Sequence, residues 1–397
     1  MQQLTKIPKI YFDHNATTPL HPEVLEVMMP FLTHKFGNPS SSNFQGQEIR
    51  DAIENSRTLI ANFLNCNSSE LIFTSSGSES NNLALKGFLS SRKIITSQIE
   101  HASIIETAKY LEHNIGYRVH FLSVNHQGVV DLLELETHLA GGEFAESDRP
   151  CGLISVMAAN NETGVLQPLT KILELGKKYN FAVHSDAVQA LGNMEINLKE
   201  LPLQMLTLSA HKVQGPMGVG VLFVRGNMAL EALIHGGHQE RNLRAGSENV
   251  AGIVGFGKAI SLIEQSFKLR NSKLSTLRDY FEKKLMENFK GQIKINGQGA
   301  ARTPNCSSIS FKTINAQILL EYLNQNKIAV STGSACLSWS CDQSHVIKAM
   351  GVDDKYARGT LRFSFGDENT LTEVDKAIAI LKEFFQRANV QSPYTLV

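Results

Sequence analysis

The chain contains 397 residues, of which 42% are hydrophobic and 19% are charged, a composition typical of a globular protein with a large buried core. Its 38 Lys and Arg residues balance its 38 Asp and Glu residues, so it has neither the basic excess of a nucleic-acid-binding protein nor an acidic tail. The length favours two or three domains.

The sequence gives no signal for a membrane or for export. An apolar run such as residues 218–224 is far shorter than the ~18 residues that a membrane-spanning helix needs. Residues 1–18 contain neither the apolar segment of a signal peptide nor an Arg- and Ser-rich amphipathic stretch. The five cysteines form no CxxC pair and no zinc-type cluster with histidine. We therefore expect a cytoplasmic protein with free thiols and no structural metal.

Seven short apolar runs, rich in β-branched residues, predict strands in the first two thirds of the chain: 71–76, 93–97, 120–124, 152–159, 181–186, 204–210 and 218–224. Helical patterns cover 80–89, 102–114 and 169–180 between several of them. This alternation predicts an α/β fold with a large, mostly parallel seven-stranded sheet covered on both faces. Only a Gly/Pro-rich loop separates the last two runs, which is too short for a helical crossover. One edge of the sheet should therefore be antiparallel.

The pattern changes after residue 260. A long amphipathic helix, about 259–289, precedes a strand-like NCSSISF, a short helix, the strand-like KIAVS and a C-terminal helix. These elements predict a smaller α+β domain, and we expect the strand-like KIYFDH near the N-terminus to pack beside it. The predicted domains are 16–260 for the large one, and 1–15 with 261–397 for the small one.

Polar groups follow three of the predicted strands at their carboxyl ends. In open α/β sheets, ligands bind beyond these ends. The three groups are Asp186 with Gln189, Ser209 with His211 and Lys212, and Gly77 with Ser78 at the start of a predicted helix.

The chemistry of these groups predicts one cofactor. Lys212 could form an imine with an aldehyde, and Asp186 could keep a pyridine nitrogen protonated, which makes the ring an electron sink. Gly77 and Ser78 at a helix N-terminus could hold a phosphate through backbone N–H groups. Taken singly, Ser78 is a helix cap, Asp186 a turn residue and Lys212 a solvated cation. Together they favour pyridoxal 5′-phosphate, which carries an aldehyde, a ring nitrogen and a phosphate.

Ten motifs between about residues 9 and 366 resemble those of a known family, the cysteine desulfurases, which are class-V members of the fold-type-I pyridoxal-phosphate enzymes. The NifS/IscS-like group is the most similar. The motifs, in family order, are YFDHNATTP, FGNPSS, SSGSESNNLALKG, EHAS, NNETG, HSDAVQALG, SAHKVQGPMGVG, GGHQERNLRAGSEN, STGSAC and LRFSFG.

The resemblance implies a role for each matching residue. Lys212 would form the imine with the cofactor, Asp186 would pair with the ring nitrogen and Gln189 would bond the ring hydroxyl. His101 would stack on the ring and act as an acid or base, although without the family it would be interpreted as a structural histidine. The implied phosphate ligands are Gly77, Ser78, Ser209, His211 and, across a subunit interface, Ser247.

The resemblance also implies how the substrate is held and attacked. Asn161 and Arg362 would bind the substrate carboxylate, Arg362 through two hydrogen bonds. Without the family, Arg362 would be interpreted as a strand residue with its guanidinium in solvent. Cys336 in STGSAC would be the nucleophile, on a segment of the length found in the long-loop group. Cys341 is the rival thiol, and we expect it to be a bystander.

The implied protein is a homodimeric enzyme that converts L-cysteine to L-alanine and leaves a persulfide on Cys336. The sulfur would pass to an acceptor or scaffold protein that serves iron–sulfur cluster assembly or tRNA thiolation. Two alternatives stay open: a selenocysteine lyase or other class-V β-lyase, and a non-enzymatic subunit that keeps the fold for binding. Intact Lys212, Asp186 and Cys336 argue against the second alternative.

Overall fold

A computed structural model describes residues 10–141, 150–226, 228–333 and 343–391. The strands are short, and most are fully buried. They are β1 Ile10–Tyr11, β2 Leu71–Thr74, β3 Lys93–Ser97, β4 Arg118–Leu122, β5 Gly152–Ser155, β6 Phe181–Asp186, β7 Met205–Ser209, β8 Gly220–Val224, β9 Ile293–Asn296, β10 Cys306–Phe311, β11 Ile328–Ala329 and β12 Thr360–Ser364.

Helices separate most of these strands. They are α1 Pro22–Thr33, α2 Phe44–Leu64, α3 Gly77–Lys86, α4 Ala102–Tyr110, α5 Leu132–Ala140, α6 Leu169–Lys178, α7 Val250–Asn288, α8 Ala316–Gln325, α9 His345–Ala349, α10 Asp354–Ala357 and α11 Leu371–Gln391. Across the described ranges, no helix combines the length and the hydrophobicity that a bilayer crossing requires.

The large sheet has seven strands in the order β2–β8–β7–β6–β5–β3–β4. Five consecutive strands of this sheet run parallel to one another, β4, β3, β5, β6 and β7, whereas β8 is antiparallel to both β7 and β2. The predicted antiparallel edge is therefore confirmed. The predicted strand 152–159 ends at Ser155, although the N–H groups of Val156 and Ala158 still donate to carbonyl groups along β6.

Both faces of this sheet are buried, as the continuous apolar runs predict. Successive residues of a strand enter different cores: Phe73 and Ile154 pack in one cluster, and their neighbours Ile72 and Leu153 pack in the other. Such burial on both faces is characteristic of parallel sheets with helical crossovers. Because β5, β6 and β7 are parallel, their carboxyl ends lie at the same edge of the sheet.

Helix α7 begins at Val250, nine residues before the predicted start. The first turns of α7, which the sequence did not predict, contain Gly252, Gly255 and Gly257. Glycine is a weak helix former, so these turns carry little helical signal. Packing explains two of the glycines, because a Cβ atom would lie 2.6 Å from Met28 Sδ at Gly255 and 2.9 Å from Ser56 Cβ at Gly257. These glycines let α7 approach α1 and α2 closely.

A second core lies around a three-stranded antiparallel sheet, β12–β10–β9. It contains apolar residues from the C-terminal half of α7, from α8 and from α11, and also Phe12. Strand β1 pairs in parallel with β11, so the N-terminal segment lies beside this second core. Buried α7 residues up to Ile263 pack in the core of the large sheet, and those from Leu274 onward pack in this second core. The domain boundary at 260/261 stays a prediction.

Candidate active site

Three of the predicted polar motifs meet at the carboxyl ends of β6 and β7. Asp186 is the last residue of β6, Ser209 is the last residue of β7, and Gly77 opens α3. A Cβ atom on Gly77 would lie 2.9 Å from Val188 Cγ2 and 3.7 Å from Ser209 Cβ. The start of α3 therefore lies directly against both strand ends, and only glycine permits this approach.

Lys212 lies in a short helical turn that follows β7. Its Nζ donates to the backbone carbonyl oxygens of Asn15, at 2.6 Å, and Ala16, at 2.8 Å. Gln189 Nε2 donates to the same Asn15 oxygen at 2.9 Å. The structure thus brings Lys212 and Gln189 together through a residue that the sequence analysis assigned no role.

Asp186 is a buried carboxylate held by two donors. Asn81 Nδ2 donates to its Oδ2 at 2.7 Å, and the backbone N–H of Val188 donates to its Oδ1 at 3.0 Å. Asn81 lies on α3, and its amide also donates to Ser103 Oγ. A hydrogen-bonded carboxylate of this kind is suited to keep a nearby ring nitrogen protonated. Asn81 was not predicted from the sequence, where its only signal is its position one helical turn after Gly77.

His101 caps α4, where its Nδ1 accepts from the backbone N–H of Ser103 at 3.2 Å. Burial lowers the pKa of His101, the charge of Lys212 lowers it further, and Asp186 opposes both. The ring is therefore neutral near pH 7. Because Nδ1 accepts this hydrogen bond, the neutral ring carries its proton on Nε2.

Arg362 lies in β12 with its guanidinium buried, so the alternative of a solvent-exposed head is wrong for this residue. Nη1 donates to the carbonyl oxygen of Asn161 at 2.9 Å, and Nη2 donates to Asp13 Oδ1 at 2.7 Å. Asn15 Nδ2 donates to the same Asn161 oxygen at 3.2 Å. Arg362 Nε is buried and has no partner among the described residues. Asp13 and Asn15 belong to the motif YFDHNATTP, for which the sequence predicted no role.

The predicted phosphate ligands divide into two groups. Ser78 lies in the first turn of α3, and within the described ranges no acceptor contacts the backbone N–H of Gly77 or Ser78. His211 Nδ1 lies 3.1 Å from Thr17 Oγ1, and burial, with the charge of Lys212, lowers the pKa of His211 to about 4. Ser247, by contrast, lines a cavity with Ser75, Gly218 and Asn249, and Lys212 is not among the residues that line it.

Cys336, Cys341 and Trp339 lie outside the described residues. Both flanks of their segment meet at Glu162, which directly follows Asn161. Ser344 Oγ donates to Glu162 Oε2 at 2.5 Å, and a Cβ atom on Gly333 would lie 2.5 Å from that same oxygen. The chain therefore enters and leaves the Cys336 segment beside the Arg362 site.

Two of the described thiols are poor nucleophiles. Burial raises the pKa of Cys66 to about 12 and that of Cys306 to about 11. A thiol needs its thiolate form to attack sulfur. Burial thus disfavours Cys66 and Cys306 as the attacking thiol.

The donor set of this site fits pyridoxal 5′-phosphate. It offers a lysine amine, a buried carboxylate for a ring nitrogen, and a helix N-terminus with N–H groups for a phosphate. Among the buried polar atoms that lack partners in the described residues are two from the side chains that form this site, Asn81 Oδ1 and Arg362 Nε. Buried polar atoms normally bind a partner, so this pair indicates that the site is completed by a ligand.

Glu100, which precedes His101, is fully buried and was also missed by the sequence analysis. Its carboxyl oxygens accept from Ser97 Oγ and from the backbone N–H of Met157. Burial raises the pKa of Glu100 to about 8, and the charge of Asp186 adds to this shift. The folded protein therefore holds a proton that the unfolded chain releases above about pH 4.5.

This raised pKa predicts a pH-dependent stability. The contribution of Glu100 is complete below pH 4.5 and is lost as the pH rises through about 8. We expect the free energy of unfolding, measured with urea at pH 5, 7 and 9, to fall less steeply in Glu100→Gln than in the wild type. Glu264→Gln, at an exposed position of α7, is the matched control and should keep the wild-type slope. Equal slopes in all three proteins would contradict the assignment.

Comparisons with known proteins cover most of the chain. Residues 10–377 match the family described as aminotransferase class-V. A protein named cysteine desulfurase IscS from Dictyoglomus turgidum is 41% identical over 391 residues, which span 97% of each chain. A solved NifS-like protein from Rickettsia africae is 36% identical with a TM-score of 0.86, covering 95% of this chain and 99% of that one. SspA, solved in complex with cysteine, is 33% identical with a TM-score of 0.77, covering 90% and 99%.

Proposed function

The chain belongs to the cysteine desulfurases of the class-V aminotransferase family, and from that membership we propose that it takes sulfur from L-cysteine and releases L-alanine. The observation that carries the proposal is the cluster of Lys212, Asp186 and the α3 N-terminus beside a buried Arg362. These are the groups that a pyridoxal-phosphate enzyme needs for an amino-acid substrate.

When bound, pyridoxal phosphate supplies an electron sink for the bonds around the substrate Cα. Lys212 would be its covalent attachment point and would later move a proton at the substrate. Asp186, held by Asn81, would keep the ring nitrogen protonated, and Gln189 would contact the ring hydroxyl. His101, with its proton on Nε2, would serve as the second proton-transfer group.

Arg362 and Asn161 would orient the substrate. A guanidinium has five N–H donors, and the contacts to Asn161 and Asp13 use two of them. The buried Nε–H and the remaining Nη hydrogens are available for a carboxylate. Asp13 would then act as a positioning residue, since its charge fixes the guanidinium plane. A buried arginine of this kind selects a carboxylate-bearing substrate over a neutral amine.

The sulfur step would belong to Cys336. Its thiolate would attack the substrate sulfur, an S–S bond would form and the Cβ–S bond would break. The electron pair of the broken bond would stay with the carbon, which takes up a proton and leaves as L-alanine. The outer sulfur of the Cys336 persulfide would then pass to an acceptor or scaffold protein for iron–sulfur cluster assembly or tRNA thiolation. A reducing cytoplasm would suit this exchange and the free thiols of Cys66, Cys151 and Cys306.

The test of this function is a direct comparison of substrates. Purified holoenzyme should form one L-alanine for each sulfur that appears as persulfide when it is given L-cysteine under single-turnover conditions. Selenocysteine is the comparison substrate, since a selenocysteine lyase would turn it over while leaving cysteine largely unused. Turnover restricted to selenocysteine would reject the desulfurase assignment and favour that alternative.

Ser247 would complete the phosphate site of a second subunit. Its loop is anchored in its own subunit, because Glu240 forms a buried two-point ion pair with Arg57, at 2.8 Å for each contact, and Arg244 pairs with Glu79 at 3.0 Å. Glu240 also accepts from the backbone N–H of Phe73. A loop held this firmly could present Ser247 across a dimer interface in a fixed position.

We expect a homodimer in which loss of the Ser247 hydroxyl weakens cofactor binding. Ser247→Ala should lower the affinity for pyridoxal phosphate by roughly 10-fold or more, as for one lost hydrogen bond to a charged group. Ser247→Thr keeps a hydroxyl and is the matched control. Equilibrium dialysis gives the affinities, and light scattering gives the mass. A fully active monomer would contradict the shared site.

A further inference from the structure

A second cluster of ionisable side chains lies at the free edge of the large sheet. His120 belongs to the edge strand β4, and Glu134 and His138 lie four residues apart on α5, so they share one face of that helix. Strand β4 is four positions from β7 in the sheet, about 19 Å at the usual strand spacing. The cluster is therefore separate from the Lys212 site.

The three side chains bring their polar atoms together. His120 Nε2 lies 2.7 Å from Glu134 Oε1, and the rings of His120 and His138 stack with centroids 3.5 Å apart and planes at 26°. One ligand atom from each residue lies within 4.8 Å of the other two. In the described parts of the chain, this is the one group of three or more His, Cys, Asp or Glu residues with such spacing.

The charge states of the cluster suit a cation. Burial acts to raise the pKa of Glu134, but hydrogen bonds from the backbone N–H and Oγ of Ser123 and from His120 outweigh it and lower the pKa. Burial, together with the neighbouring His120 and Lys93, lowers the pKa of His138, whereas Glu134 opposes this. Near pH 7 the cluster thus presents a carboxylate and a neutral imidazole with a free lone pair, as a metal ligand requires.

We propose that His120, Glu134 and His138 bind one divalent transition-metal ion of the zinc type, with water completing the coordination. Two imidazoles and a carboxylate are a common donor set for zinc. Ser123 donates hydrogen bonds to the second carboxylate oxygen of Glu134. Metal ligands in proteins usually accept or donate such an additional hydrogen bond, which fixes their orientation. Zinc ligands at about 2.0–2.2 Å lie roughly 3.3 Å apart, so the contact between His120 and Glu134 must open by about 0.6 Å. The His138 ring must also rotate out of its stack on His120, because an imidazole binds a metal in the plane of its ring. Partly exposed side chains can make both adjustments.

The site does not depend on the proposed reaction, and its test uses binding rather than turnover. Holoenzyme with its thiols alkylated, so that cysteines cannot bind metal, is titrated with Zn²⁺ in a calorimeter. We expect one ion per chain. His120→Ala and His138→Ala should each weaken binding at least 10-fold, and Ser123→Ala should weaken it roughly 10-fold through the orientation of Glu134.

His113→Ala is the matched control, because His113 is an exposed histidine that lies 3.7 Å from Glu112 and has no third ligand among the described residues. Its loss should leave binding unchanged. Co²⁺ bound in place of Zn²⁺ should give visible absorption bands that disappear in His138→Ala. Cofactor absorbance should be unchanged in every variant, which shows that each one is folded. Equal Zn²⁺ binding by the wild type and the His120→Ala/His138→Ala double variant would overturn the site, as would a wild type that binds no Zn²⁺.

Discussion

Replacing Lys212 with alanine should abolish both the yellow absorbance of lysine-bound cofactor and the formation of alanine from cysteine. The physical reason is that the amine serves twice, as the covalent attachment point and as a proton carrier. Loss of proton transfer alone costs about 100-fold to 10,000-fold in rate. The measurements are an absorption spectrum of the purified variant and an assay of alanine after prolonged incubation.

Lys212→Arg is the matched control for charge. Arginine keeps a cation near the carbonyl oxygens of Asn15 and Ala16, where Lys212 Nζ now donates, but its guanidinium stays protonated and cannot bind an aldehyde in the same way. We expect Lys212→Arg to be inactive while it keeps wild-type thermal stability. A Lys212→Ala protein that still releases alanine at a comparable rate would refute the assignment of this lysine.

Replacing Cys336 with alanine should stop the reaction after the substrate has bound. Both flanks of this segment lie at Glu162, which follows Asn161, and the carbonyl of Asn161 accepts from Arg362. The two described ends of the segment that carries the thiol therefore lie close to the proposed carboxylate site. Nearby cations favour a thiolate. In a single turnover, Cys336→Ala should change the cofactor spectrum on addition of cysteine and yet release no alanine.

Cys341→Ala is the control for Cys336, since it removes a thiol from the same segment and should keep most activity. Peptide mass mapping after a brief exposure to cysteine should find one added sulfur on the peptide that carries Cys336, in a digest that separates the two thiols. An added sulfur on Cys341, or normal alanine release by Cys336→Ala, would overturn the proposed nucleophile. Either result would leave the cofactor site unaffected.

The sheet could be predicted from the sequence because its signal is local. Buried strands appear as continuous apolar runs, and the short loop before β8 leaves no room for a crossover helix. The start of α7 could not be predicted in the same way. Gly255 and Gly257 disfavour a helix locally, and only the approach of Met28 and Ser56, remote in the sequence, accounts for them.

The residues of the candidate active site also fall into those that the sequence predicts and those that it does not. Lys212, Asp186 and Gly77 each follow a strand, so their meeting follows from the topology of a parallel sheet. Asp13 and Asn15 carry no comparable signal, because a polar residue after a short strand is usually a turn residue. Their partners lie in the last strand and in the middle of the chain, and a single sequence holds no trace of such distant pairs.

The pairing of Asp13 with Arg362, 349 residues apart, has a consequence for the order of events during synthesis. At roughly 5–20 residues per second, a ribosome needs about 17–70 s to make the intervening chain. Until β12 is made, Asp13 lacks its partner Arg362, and the backbone N–H of Asn15 lacks its acceptor, the Ser364 hydroxyl. The segment that supplies the carbonyl oxygens for Lys212 is then held from one side, where the backbone N–H of Thr18 donates to the carbonyl oxygen of His211. A nascent chain can therefore complete the floor of its cofactor site only after β12 has been made. Cofactor capture would therefore mark a chain that has been synthesised at least through β12.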